Sequence, residues 1–189
     1  MKEITLLIVG LLFGSTLLAQ TWPHYETPLE REYAERMGFE PHNSRGITTP
    51  PEYDNLRAAA EWEEIEALTI AWEGFECILK QITAAAVSEC KVIIFTESPS
   101  STSNYLSGSA CGGPVSLDNV EIVDVDLNSI WIRDYGANTV YGSWNDDRIL
   151  VDWIYNRNRP DDDVIADELG DHMDIDVYNT TEEPYDLMN

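Results

Sequence analysis

Six consecutive residues, Trp131-Ile132-Arg133-Asp134-Tyr135-Gly136, bring together a carboxylate, an aromatic face and a glycine that permits a turn. A carboxylate accepts two parallel N–H bonds from a planar guanidinium, and an indole face adds cation–π contact. The same six residues also fit an ordinary turn in which Asp134 caps the backbone and Arg133 pairs with a surface acid. A second feature is Tyr155-Asn156-Arg157-Asn158-Arg159-Pro160. In extended chain Arg157 and Arg159 point to the same side and form a small fork for an anion. The competing reading is local pairing with Asp161-Asp162-Asp163, which is worth little at an exposed site.

Other chemistry-bearing residues make weaker patterns. Asp171, Asp174 and Asp176 invite calcium, but Met173, Ile175 and Asn179 stand where an EF-hand loop needs ligands or glycine. They read as acidic surface. His24, His42 and His172 have no ligand partner at metal spacing, and Asn179-Thr180-Thr181 is only a formal glycosylation sequon. Cys77, Cys90 and Cys111 contain no Cys-x-x-Cys pair. In an oxidising compartment two of the three can pair, in a combination the sequence leaves open. Cys77 sits in an apolar helical pattern and reads as buried.

The chain has 189 residues, with 35 Asp+Glu against 11 Lys+Arg and a net charge of −24. That charge argues against nucleic acid or an anionic membrane surface as partner, since both require clustered bases. Residues 1–19 have a basic start at Lys2, an apolar run from Ile4 to Leu18 and a small residue at Ala19. This reads as a secretory signal peptide, too short for a membrane span, so the mature protein is expected to be secreted or periplasmic and not held in the membrane.

The elements that must position these residues follow from periodicity. Residues 20–57, rich in Pro, Glu and Thr, read as an N-terminal arm with one short helix around Glu30 to Met37. Strands are expected at Ala67–Trp72, Val92–Phe95, Val120–Val125, Asn138–Tyr141, Arg148–Tyr155 and Asp174–Tyr178. Helices are expected at Phe75–Glu89, with Ile78 and Ile82 on its apolar face, and at Asp161–His172. Residues 98–118 read as a Ser/Gly loop. Paired strands interleaved with single helices indicate an α/β fold rather than an all-parallel sheet.

Taken together, Glu61-Trp62-Glu63 with Leu68 to Trp72, Ser129 to Gly136, and Asp152 to Pro160 resemble the Porphyromonas-type peptidylarginine deiminases, whose relatives are the agmatine deiminases. The resemblance spans roughly residues 58–189. It implies part of an α/β propeller of ββαβ blades, the pentein fold of the guanidine-modifying enzymes. It implies that Asp134 binds the substrate guanidinium, that Trp131 lines the same pocket, and that Arg157 and Arg159 recognise a terminal carboxylate. The implied reaction converts a C-terminal peptidyl arginine to citrulline and ammonia through a Cys nucleophile, with no cofactor or metal. The substrate is an arginine-containing peptide or a small guanidino compound. Agmatine deiminase, a putrescine-forming enzyme, is the alternative within the family, and a secreted acidic binding module is the alternative outside it. Two departures stand out: Ala137 replaces the usual Pro, and the catalytic His and Cys of relatives lie downstream of Asn189. On that resemblance the 189 residues are the N-terminal part of a deiminase and are expected to be inactive alone.

Overall fold

The computed structural model describes residues 23, 25–37, 45–53, 55–60, 62–142, 147–153, 155 and 157–179. Residues 1–22, His24, His42 and the threonines of the sequon lie outside them. An α-helix, α1 (Pro28–Met37), precedes a two-residue strand, β1 (Arg57–Ala58). A βαβαβ unit follows: β2 (Ala67–Ala71), α2 (Glu76–Ala86), β3 (Lys91–Thr96), α3 (Pro99–Ser107) and β4 (Val120–Asp124). The chain then makes a single helical turn, α4 (Ile132–Tyr135), and a hairpin, β5 (Asn138–Gly142) and β6 (Asp147–Asp152). Two short helices, α5 (Pro160–Asp163) and α6 (Ile165–Met173), lead to β7 (Val177–Asn179).

Two sheets result. One has strand order β2-β3-β4 and is parallel throughout; the other, β1-β5-β6-β7, pairs β5 with β6 antiparallel and β6 with β7 parallel. The α/β class holds, with one correction: one of the two sheets is wholly parallel. Its central strand explains why. Val92, Ile93, Ile94 and Phe95 are all fully buried, so β3 is covered on both faces, as strands of parallel sheets are. Ile93 and Phe95 face a core shared with Leu150, Leu169 and Val177 of the second sheet and α6, while Val92 and Ile94 face Leu79 and Leu106 of the outer helices. Arg148 of β6 pairs with Glu66 beside β2 and ties the sheets at their rim. Gly170 is required where α6 meets β7, since a Cβ there would stand 2.2 Å from Val177 Cγ2.

Three expectations are corrected here. The Ser/Gly stretch contains a helix, α3, because Pro99 sits in its first turn and Thr102 and Leu106, one turn apart, are both buried. Thr102 also hydrogen-bonds Thr96 at 2.9 Å, so polar residues supply a buried face that periodicity of apolar residues misses. On α2 the buried face is Leu79, Lys80 and Thr83, whereas Ile78 and Ile82 are 56% and 41% exposed. Lys80 is buried because its ammonium donates to the carbonyls of Tyr105 and Gly108 at 2.9 and 2.7 Å, satisfying the C-terminal end of α3. Cys77 is exposed and forms a disulfide with Cys111, with Cα atoms 5.3 Å apart.

Candidate active site

The Trp131–Gly136 segment follows β4 as the one-turn helix α4. Asp134 N–H donates to Trp131 O at 2.8 Å and Gly136 N–H to Ile132 O at 2.7 Å. A Cβ on Gly136 would lie 2.5 Å from Ile132 O, so only glycine lets the turn close this tightly. The turn sorts its side chains: Tyr135 is buried, Trp131 half-buried against the shared core, and Arg133 and Asp134 exposed. Ile132, Arg133 and Gly136 border a cavity of about 380 Å³ that runs in over Thr69 and Phe95.

Below the turn lies a polar clasp that the sequence did not announce. Asp162 is fully buried and its Oδ1 accepts the N–H groups of Asn128 and Ser129, both at 2.9 Å. Ser129 Oγ donates to Asp162 Oδ2 at 2.6 Å, and Tyr135 OH donates to Ser129 O at 2.6 Å. Asn128 and Asp161 bond reciprocally, at 2.6 and 2.9 Å. Burial pushes the Asp162 carboxyl up to about 6, against the hydrogen bonds from Ser129 and Asn128, which favour the ionised form as their acceptor. Asp161 and Asp162, in the first turn of α5, therefore fix the backbone that carries Trp131 and Asp134.

The arginine fork is not arranged as extended chain would place it. Residues 157–158 bend, so the two-residue alternation of a strand does not apply. Arg157 is half-buried, whereas Arg159 is 1% exposed. The field of Arg159 reaches the Asp162 carboxyl, and its guanidinium hydrogen-bonds a carboxylate distant in sequence. Its Nε and Nη2 donate to the Glu30 carboxylate at 2.7 and 3.4 Å, Nη2 to Pro23 O at 2.6 Å and Nη1 to Tyr155 OH at 3.3 Å. Burial would raise the Glu30 carboxyl, but hydrogen bonds from Arg159 and Thr27 hold it below the ordinary value. The Tyr155 ring packs edge-on against Tyr135, with centroids 5.5 Å apart. Arg159 is thus joined to the Asp134 turn through two tyrosines. Burial pushes the Tyr155 hydroxyl up to about 12, with the field of Arg159 opposing and those of Asp162 and Asp134 adding.

The remaining candidates lie elsewhere. His172 bonds Glu121 at 2.6 Å on the surface, and Asp171 pairs with Arg45. Cys77 and Cys111 are consumed by the disulfide. Cys90 directly precedes β3, at the end of the parallel sheet opposite to that from which the chain runs on to Trp131.

Residues 57–182 match the family model of the Porphyromonas-type peptidyl-arginine deiminases. The chain belongs to that family. Solved structures of similar fold include an agmatine deiminase from C. jejuni, 21% identical with a TM-score of 0.54, covering 67% of this chain and 40% of that one. A substrate-bound variant of that enzyme, 20% identical, gives 0.53 with the same coverage. A protein assigned as an arginine deiminase from Porphyromonas gingivalis is 14% identical, with a TM-score of 0.54 over 66% of this chain and 40% of that one. At these identities the likeness is one of fold. The chain spans about 40% of the length of these structures.

Proposed function

We propose that this chain contributes the guanidinium-binding side of a hydrolytic deiminase that converts the C-terminal arginine of peptides to citrulline and ammonia. The observation that carries the reading is the construction of the Asp134 turn. A carboxylate is presented outward beside a half-buried indole, on backbone pinned from below by Asp162, Ser129 and Tyr135. The backbone from which the acceptor projects is thus fixed before substrate arrives, which supports its use for a planar cation. In the reaction a thiolate attacks the guanidinium carbon, ammonia leaves as an imidazole supplies its proton, and water then cleaves the C–S bond to release citrulline and regenerate the thiol. The thiolate and imidazole come from chain beyond Asn189 on this reading. The net charge of −24 favours a cationic substrate.

Arg157 and Arg159 are the groups for the terminal carboxylate, and the bidentate seat that Arg159 already gives to Glu30 supports that use of it. The run β5, β6, α5 with α6, and β7 has the ββαβ order of a propeller blade, which supports the propeller reading. The Cys77–Cys111 disulfide supports an oxidising, extracytoplasmic destination. A second reading is agmatine deiminase, favoured by the fold shared with the C. jejuni enzyme of that name.

The decisive experiment uses the protein with its full catalytic complement and measures citrulline from benzoyl-arginine, its amide and agmatine. Asp134→Asn keeps the size and removes the charge, and is expected to cost about a hundredfold or more on all three. Activity of the variant within threefold of wild type would remove Asp134 from the site. Agmatine turnover above that of benzoyl-arginine would favour the second reading.

A further inference from the structure

The Glu30–Arg159 pair is an odd way to hold a helix. Among the described side chains of α1, Glu30 is the one buried, while Leu29 and Tyr33 are 75% and 48% exposed. A surface helix ordinarily docks by its apolar stripe; α1 docks by one carboxylate instead. That carboxylate is prepared locally, since Thr27 N–H donates to Glu30 Oε2 at 2.7 Å and Glu30 N–H to Thr27 Oγ1 at 3.2 Å, a capping box. Its partner is a fully desolvated guanidinium with two N–H groups directed at the carboxylate and a third at Tyr155 OH. A cavity of about 320 Å³ bordered by Leu29, Glu30, Tyr33, Arg36 and Asn158 opens beside the pair.

We propose that Glu30 is an internal stand-in for the substrate's terminal carboxylate, so that α1 must withdraw from Arg159 before a peptide ending in arginine can be seated. The inference rests on the reading of Arg157 and Arg159 as the carboxylate's partners. The exchange replaces one buried carboxylate–guanidinium pair by another, so withdrawal leaves no charge uncompensated once substrate is bound. Because α1 is tethered, its carboxylate competes at an effective concentration in the millimolar range. Apparent affinity for a free-acid ligand is lowered by the fraction of molecules with the seat open. Ligands without a carboxylate do not use the seat and are indifferent to the arm.

The test is a calorimetric titration of the 189-residue chain with acetyl-arginine and with acetyl-argininamide. Glu30→Ala and Glu30→Gln are expected to tighten the acid about tenfold and leave the amide unchanged. Arg159→Ala, added to either, is expected to abolish the gain. A synthetic peptide of residues 23–37 is expected to compete with the acid on the Glu30→Ala chain and not with the amide. An acid-to-amide affinity ratio unchanged in both Glu30 variants overturns the proposal, as does loss of the thermal transition in both, which would assign Glu30 to folding. If Arg157→Ala weakens the acid while the Glu30 variants do nothing, only the stand-in fails. If neither arginine matters, the carboxylate reading falls with it.

Discussion

The two sheets are held by different physics. Around β2-β3-β4 the buried material is mostly apolar, with Lys80, Thr83, Thr96 and Thr102 the polar exceptions: four consecutive residues of β3 are fully covered, the outer helices bring Leu79 and Leu106, and a disulfide ties α2 to the loop after α3. Around β5-β6-β7 and the arm, Asp152, Asp162, Asp167, Arg159 and Glu30 are all buried. The first region gains from removing hydrocarbon from water, roughly in proportion to area. The second depends on every buried charge finding its partner. The candidate site sits where they meet, with Trp131 on the shared apolar core and Ser129 on the polar clasp. A rigid floor and a directed set of hydrogen bonds thus act on one turn.

If the comparison is right, the largest effect comes from the apolar side. Phe95→Ala is expected to cost about 3–5 kcal/mol in urea unfolding, since its ring is fully buried between the sheets. A cost below about 1 kcal/mol would show that β3 is not the core. Next is the crosslink: Cys77→Ser with Cys111→Ser, which opens a sequence separation of 34, is expected to cost about 3–4 kcal/mol on the chain-entropy account. The double variant should melt alike with and without reductant, whereas the parent should not.

On the polar side effects should be smaller and local. Asp162→Ala strips the Asn128 and Ser129 N–H groups and the Ser129 hydroxyl of their acceptor, at a cost of about 2–3 kcal/mol. Hydrogen exchange should quicken at Asn128 and Ser129 while β3 amides keep their protection. Uniform loss of protection would dissolve the distinction between the halves. The smallest effect is one of pH. Burial first, then the fields of Asp163 and Asp167, pushes the Asp152 carboxyl up to about 7. A carboxyl raised in the folded state favours folding below its unfolded value, near 4, and that contribution disappears as pH rises through 7. Asp152→Asn should therefore be near neutral at pH 4 and stabilising at pH 8. A difference that stays constant over that range would show that the carboxyl does not titrate in the window.

What the sequence discloses follows the same division. Apolar runs such as Val92 to Phe95 locate the parallel strands because local burial imposes a local pattern. The helix α3 escapes because its buried residues include a threonine whose partner is another threonine. The outward face of α2 misleads because Lys80, not an isoleucine, is drawn inward by carbonyls of another helix. At the site, Trp131 and Asp134 are legible from residue type and proximity. The partner of Arg159 is not, since Glu30 lies 129 positions away. Its one local trace is the spacing of Thr27 and Glu30, which marks a helix start but not what the carboxylate will meet.

The clasp has a consequence for anyone wishing to modify the molecule. Ser129 and Asp162, 33 positions apart, are bound to each other, so everything between them hangs from a closed base. Beyond the turn at 132–136 that interval holds the β5–β6 hairpin, whose ladder runs out to Gly142 opposite Asp147. Chain added past that last pair joins two strands already paired, and the closure cost of such a connection grows by only about 0.6 kcal/mol per doubling of its length. The hairpin end is thus a natural insertion port, where a reporter can be carried without disturbing the backbone beneath Asp134.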